Sequence, residues 1–485
     1  MDTFLRELTE RALDVARSAG ATYADARYLA EEWESVDAQD QIVQSVDRGV
    51  TAGIGIRVIA DGAWGFAGTA RLEAGDVEAA ARLAVEIARS SVPLLKSPVR
   101  LAEEPVVDTT WTSPVIEDPF AVSLEEKIAL LLDSTKRMQE VAGLSIAEAS
   151  MDLWRRTSFL ATTDGSRIEQ TITQSGAGIR ALAINDHEVQ QRSYPNSFRG
   201  HYANRGFEHI RAMELPSNAA RIASEAVELL SAPECPSIDT TLVLDAPQLA
   251  LQVHESIGHP IELDRVLGME AAYAGTSFLT PGDRGRVRYG SDQITITADA
   301  TIEGALGSFG YDDEGVAAQS DVVIENGIFK KFISSRETAP EIGEERSNGT
   351  MRASGWDVIP LIRMTNINLM PGSSSLDEMI STTDDGIFMS TNQSWSIDDK
   401  RVNFQFGTEI AWEIKNGSLG RMLRNPNYAG KTVDFWSSCD AVGGPEEWGV
   451  WGTPNCGKGQ PGQTARVAHG TAPARFRGVR VGVHG

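Results

Sequence analysis

His254 and His259 stand five residues apart, with Glu255 directly after the first, in the segment Asp245-Ala-Pro-Gln-Leu-Ala-Leu-Gln-Val-His-Glu-Ser-Ile-Gly-His259. Two imidazoles and a carboxylate are the parts of a hydrolytic metal site, in which the histidines hold a divalent ion and the glutamate is the general base. The familiar spacing puts the histidines four apart, on one helical face. Five apart, they lie about 140° round a regular helix, too far to share an ion easily. Either a one-residue π-type bulge separates them, or the helix unwinds at Gly258 and His259 swings back. Gly258 before His259 and Pro260 after it favour such irregularity.

A catalytic zinc takes three protein ligands and keeps one position for water, so a third donor is needed. Glu262, Asp264 and Glu270 are close in sequence. Cys456 offers a softer thiolate from the glycine-rich loop Pro454-Asn-Cys-Gly-Lys-Gly-Gln-Pro-Gly-Gln463. The plain alternative is a set of buried, hydrogen-bonded histidines with Cys456 as a small core residue. A thiol hydrolase with Cys456 as nucleophile is a further rival. Cys235 has no assigned role and Cys439, near Trp436, reads as packing. His187, His201 and His209 read as surface or loop residues, with Gly206-Phe-Glu-His209 a possible border of the cleft.

The elements that position these residues divide at Ser231-Ala-Pro-Glu-Cys-Pro-Ser237, rich in proline and small residues. Residues 1–232 read as an α/β domain. Asp2 caps a first helix that Gly20 stops, residues 76–89 and 218–230 are helical, and Ser123 with Glu126 opens a helix to Val141 as a capping box. Strand-like runs lie at 25–31, 50–58 (leading to a turn at Asp61–Gly62), 145–153, 167–173 and 176–184. Residues 238–485 read as a β-rich domain: the strand 240–244, the histidine helix capped by Asp245, then runs at 293–297, 321–324, 327–333, 402–406 and 410–415. The fold class is α+β.

Net charge is -24, from 68 acidic against 44 basic residues, which argues against nucleic acid as a ligand. No apolar run is long enough to span a membrane, and the first residues lack an apolar signal core. Three cysteines in 485 residues speak for a reducing compartment, so a cytoplasmic protein is expected. The stretch from Gly457 to Gly485 holds Lys458, Arg466, Arg475, Arg477 and Arg480 and no acid, and reads as a partner-docking or ordering segment or a frayed end.

Gly53-Ile-Gly-Ile-Arg57 with Trp64-Gly-Phe66, His254-Glu-Ser-Ile-Gly-His259, Arg363-Met-Thr-Asn366 leading to Met370-Pro-Gly372, and Cys456-Gly-Lys-Gly-Gln-Pro-Gly462 together resemble the TldD/PmbA metallopeptidase family over essentially the whole chain. The resemblance implies an α/β domain before a β-rich one. It implies a homodimer, or a heterodimer with a TldE/PmbA-like paralogue, enclosing a chamber that admits unfolded peptides. It maps the zinc ligands to His254, His259 and Cys456 and the base to Glu255. Because the metal residues are kept, the chain resembles the zinc-bearing subunit. The arginine-rich stretch after Arg466 looks longer than the family pattern.

The metal-site residues and the resemblance together imply a zinc metallopeptidase acting on unfolded or extended peptides. The peptide is expected to add as a strand to a sheet edge. Arg352 and Arg363, flanking the family-like segment, are candidate oxyanion donors, with structural ion pairs as their other reading. The alternative is a non-catalytic peptide-binding or regulatory subunit with a structural zinc.

Overall fold

A computed structural model describes residues 2–483. Met1 and the last two residues of the basic tail, His484 and Gly485, lie outside the described residues. Long antiparallel strands dominate the first part of the chain. Tyr23–Gln39 turns at Asp40–Gln41 into Ile42–Ala60, which turns at Asp61–Gly62 into Ala63–Thr69. All four turn residues have positive φ, the geometry that lets a two-residue hairpin follow the strand twist. With Asp108–Thr112, Ile146–Thr162, Arg167–Ile184, Val189–Tyr194 and His201–Ala203, these strands form an eight-stranded sheet among the described residues.

Helices Thr3–Ser18 and Ala74–Ser91 pack closely over one end of that sheet, because their inward positions include Ala12, Ala16, Ala81, Ala84 and Ala88. Helices Leu124–Gln139 and Leu215–Leu229 cover the other end. Asp2 and Ser123 cap their helices, accepting from the Phe4 and Glu126 N–H groups. The two runs expected at 167–173 and 176–184 are one strand, Arg167–Ile184. Its glycines do not interrupt it; they admit close neighbours, since a Cβ on Gly176 would stand 2.1 Å from the Tyr202 ring.

From Ile238 onward the chain is β-rich. Strands Asp385–Ile397, Ile238–Leu244, Ala474–Val481, Asn427–Lys431 and Asn403–Lys415 pair in that order, and the last pairs back to the first, closing a small barrel. Asn403–Lys415 merges the runs expected at 402–406 and 410–415. The run expected at 327–333 is a strand only at Ile328–Phe329. The basic tail is no frayed end: Ala474–Val481 is a wall of the barrel, with Phe476 stacked on Phe435 at 4.0 Å. Its charges are met within the chain, Arg466 by Glu31 and both Arg475 and Arg477 by Asp440. Among the described residues no helix is long and apolar enough to cross a membrane.

Helix Ala246–Val253 leaves the barrel strand Ile238–Leu244 with Asp245 as its cap, the carboxylate accepting from the Gln248 N–H at 3.1 Å. Burial pushes the Asp245 pKa up to about 6 from its ordinary 3.8, against the opposing bonds from Ser390 and Gln248. Folding therefore favours the neutral carboxyl. The stability this gives is present below the unfolded value and lost as pH rises through about 6, a change of about 3 kcal/mol. Asp245→Asn keeps a cap without the ionisation. Its thermal midpoint should exceed the wild type's by a margin that grows between about pH 4 and pH 7; a constant difference would contradict this.

The helix continues into a π turn, His254–Gly258, closed by a hydrogen bond from the His259 N–H to the His254 carbonyl. Of the two irregularities the spacing allowed, this is the wider turn. A Cβ on Gly258 would stand 2.1 Å from the buried Met364 sulfur. Gly258→Ala gains about 1 kcal/mol of helix propensity but overpacks the core at a cost of about 1–3 kcal/mol. A lower thermal midpoint is expected; an unchanged or higher one would mean that Met364 yields.

Candidate metal centre

The π turn adds one residue to the helical circuit and so brings His254 and His259 onto one side, with ring centroids 4.9 Å apart. Cys456 arrives from the opposite end of the sequence on strand Gly449–Lys458, which pairs with Gln463–Thr471. The register of that hairpin slips between Thr453 and Cys456, a bulge of the kind that re-aims a side chain. One donor atom from each of His254, His259 and Cys456 lies within 4.8 Å of the others, and all three residues are buried. The Cys456 sulfur is 3.9 Å from His259 Nε2.

Each imidazole is held from behind. His259 Nδ1 lies 3.0 Å from the Glu262 carboxylate, and His254 Nδ1 lies 2.7 Å from His469 Nε2. Burial lowers the pKa of both His254 and His259, which keeps the rings neutral as metal ligands must be. Burial alone would raise the Cys456 thiol. The Arg363 charge and His259 outweigh it and leave the thiol below its ordinary value, which favours the ligating thiolate. Two nitrogens and a sulfur within reach of one point suit zinc.

The other candidate donors are occupied. Lys458, fully buried, reaches Asp264 at 2.7 Å and Glu262 at 3.3 Å, while Arg265 pairs with Glu270 at 3.3 Å. Burial would lower the Lys458 pKa, but Asp264, Glu262 and Glu270 more than reverse this and raise it. These acids form a buried charged layer behind His259.

Glu255 lies in the same pocket, a cavity of about 360 Å³ lined by His254, Glu255, His259, Trp395, Arg401 and Cys456 among others. Its carboxylate is bonded by Arg401. Arg352 and Arg363 do not line this pocket. Arg352 donates to the Met364 and Arg466 carbonyls, and Arg363 to the Cys456 carbonyl.

Arg401 and His469 escaped the sequence reading. Arg401 sits in the turn Asp398-Asp-Lys-Arg401 at φ 66°, and His469 in the mixed strand Gln463–Thr471; neither carries a pattern. His201 and His209 are half-buried and lie in regular elements rather than loops, His201 in strand His201–Ala203 and His209 in helix Phe207–Ala212. Their rings pack at 4.9 Å against each other, with Trp451 beside His201, and burial lowers them to about 3 and about 4. His187 is exposed as expected, and Gly206–His209 does not line the metal pocket. Cys235 and Cys439 are buried, which pushes their thiols up to about 11 and about 12. Neither is an activated nucleophile.

Comparison with known proteins gives the context of this centre. Family models described as PmbA/TldA metallopeptidase domain 1, central domain and C-terminal domain match residues 24–88, 117–232 and 238–482. The last match takes in the arginine-rich stretch after Arg466, so that stretch is not an addition to the family pattern. A metalloprotease of Methanocaldococcus jannaschii is 30% identical over 92% of this chain and 94% of its own length. A zinc metalloprotease TldD homolog of Saccharolobus solfataricus is 26% identical over 50% of this chain and 51% of its own. The structure of TldE from Thermococcus kodakarensis shares the fold, with a TM-score of 0.71 at 16% identity over 98% of this chain and 99% of that one. A chain matched by the family's models in three successive segments, and by a relative over nearly its full length, belongs to the PmbA/TldA metallopeptidase family.

Proposed function

We propose that this chain is a zinc metallopeptidase that hydrolyses peptide bonds in unfolded or extended peptides, with His254, His259 and Cys456 as the ligands and Glu255 as the general base. The observation that carries the reading is the shared pocket. A carboxylate that could take a proton from water stands beside three buried donors with no fourth in their group among the described residues. That count supports a catalytic over a structural zinc, because a structural site is closed by four protein ligands.

Zinc bound there supplies Lewis-acid polarisation of the scissile carbonyl and acidification of water. The chain's own groups do the rest. The Glu255 carboxylate accepts the proton of the attacking water and returns it to the leaving amine. Arg401 fixes that carboxylate by an ion pair through Nη1 and itself lines the pocket, which makes its guanidinium a donor for the substrate carbonyl. This reading moves the oxyanion role from Arg352 and Arg363 to Arg401.

Strand addition is supported by the edge of Asp385–Ile397. Its pairing with Ile238–Leu244 covers only Gly386–Met389, so on that side the segment from Ser390 to Ile397 meets no barrel strand among the described residues. Trp395, Ser396 and Ile397 of this edge line the metal pocket. Asn392 and Gln393 line an adjoining cleft of about 660 Å³ that shares Phe198 with it. Along that cleft Arg199 pairs with Asp37, and Arg180 with Glu148. Its charges are thus matched internally, and backbone rather than side-chain charge is left to be read. Assembly as a homodimer or with a TldE/PmbA-like paralogue, in the cytoplasm, belongs to the same proposal; the likeness to TldE supports the family context of that pairing alone.

Glu255→Gln should lower peptide cleavage by at least about 100-fold while zinc content stays at that of the wild type. Near-normal turnover would remove Glu255 as the base. Cys456→Ala, measured by elemental analysis after dialysis, should lose zinc and activity together. Full zinc in that variant would exclude the thiolate ligand.

A further inference from the structure

We propose that His469 is a positioning residue that fixes the Nδ1–H tautomer of His254, so that His254 presents a bare Nε2 to the metal. His469 is fully buried on strand Gln463–Thr471. Its Nδ1 lies 3.1 Å from the Ile367 carbonyl oxygen. A carbonyl only accepts, so the His469 proton sits on Nδ1, and in the neutral ring Nε2 is then an acceptor. That Nε2 is 2.7 Å from His254 Nδ1, which must therefore be the donor. With its proton on Nδ1, His254 has its lone pair on Nε2. A backbone carbonyl thus sets the protonation of the first motif histidine through one intervening ring.

The strand is pinned where this matters. The Gly470 N–H donates to Asn368 Oδ1 at 2.7 Å, and the Ala468 N–H to the Thr365 carbonyl at 3.3 Å. Both flanks of His469 are therefore tied to the segment that carries Ile367. The two histidines of the motif obtain the same tautomer by different means, since His259 Nδ1 faces the Glu262 carboxylate. A second carboxylate behind His254 would add a negative charge to a buried site that already holds Glu262 and the Cys456 thiolate. A neutral imidazole orients the ring without that cost.

The functional consequence rests on the zinc reading, whereas the tautomer is a property of the metal-free protein. The test uses the full chain labelled with ¹⁵N-histidine. In the metal-free wild type, long-range ¹H–¹⁵N spectra should show His254 protonated at Nδ1; protonation at Nε2 would overturn the proposal without any variant. His469→Phe keeps a ring and removes the acceptor, so the His254 signals should shift toward the Nε2–H form. Zinc affinity in chelator competition should then fall about 10–100-fold. His469→Gln restores an acceptor and should recover most of both. Equal weakness of His469→Gln and His469→Phe, or an unchanged tautomer in His469→Phe, would reduce His469 to packing. Neither readout involves peptide cleavage, so failure of the peptidase reading and failure of this one are told apart.

Discussion

The hydrogen bond from the His259 N–H to the His254 carbonyl closes a turn one residue wider than an α-helix allows. On an ordinary helix the two rings would diverge by about 140° and share no ion. Widening the turn costs helical regularity, and the surroundings hold it there: Met364 fills the space a Gly258 side chain would need, and the Tyr289 hydroxyl donates to the Ser256 carbonyl inside the turn. Asp245 and Pro247 fix where the helix starts, and so which residue reaches the turn. The helix that follows the barrel strand and the hairpin carrying Cys456 and His469 then meet at one point.

Burying that point raises a problem of charge. Glu262, Asp264 and Glu270 follow His259 by three, five and eleven residues and are buried, where water does not screen them. Lys458 and Arg265 answer them from within the same layer. Lys458 is two residues from Cys456, so what reads in sequence as a glycine-rich loop is one strand that delivers both a ligand and the cation that balances the acids behind the second histidine. Removing one partner of such a pair leaves an uncompensated buried charge, which is more damaging than replacing the pair.

How much of this the sequence discloses depends on whether the information is local. Capped helices and hairpin turns are written in neighbouring residues, and Asp2, Ser123 and Asp61–Gly62 gave them correctly. The irregular turn was legible as an alternative, because five-residue spacing is incompatible with a plain helix. Strand lengths were not legible where glycines admit a crossing neighbour, as at Gly176. Arg401 and His469 act through contacts 146 and 215 residues away in sequence, and no spacing rule reaches that far. The basic tail stayed open between a docking or ordering segment and a frayed end for the same reason: its partners Glu31 and Asp440 are distant in sequence.

The central claim is a zinc held by two imidazoles and one thiolate with a position left open. X-ray absorption at the zinc edge of the loaded protein tests it most directly. The account predicts a shell of one sulfur at about 2.3 Å and lighter donors at about 2.0–2.1 Å, two of them with imidazole scattering, and one exchangeable. A shell without sulfur, or one closed by four protein donors, would contradict it.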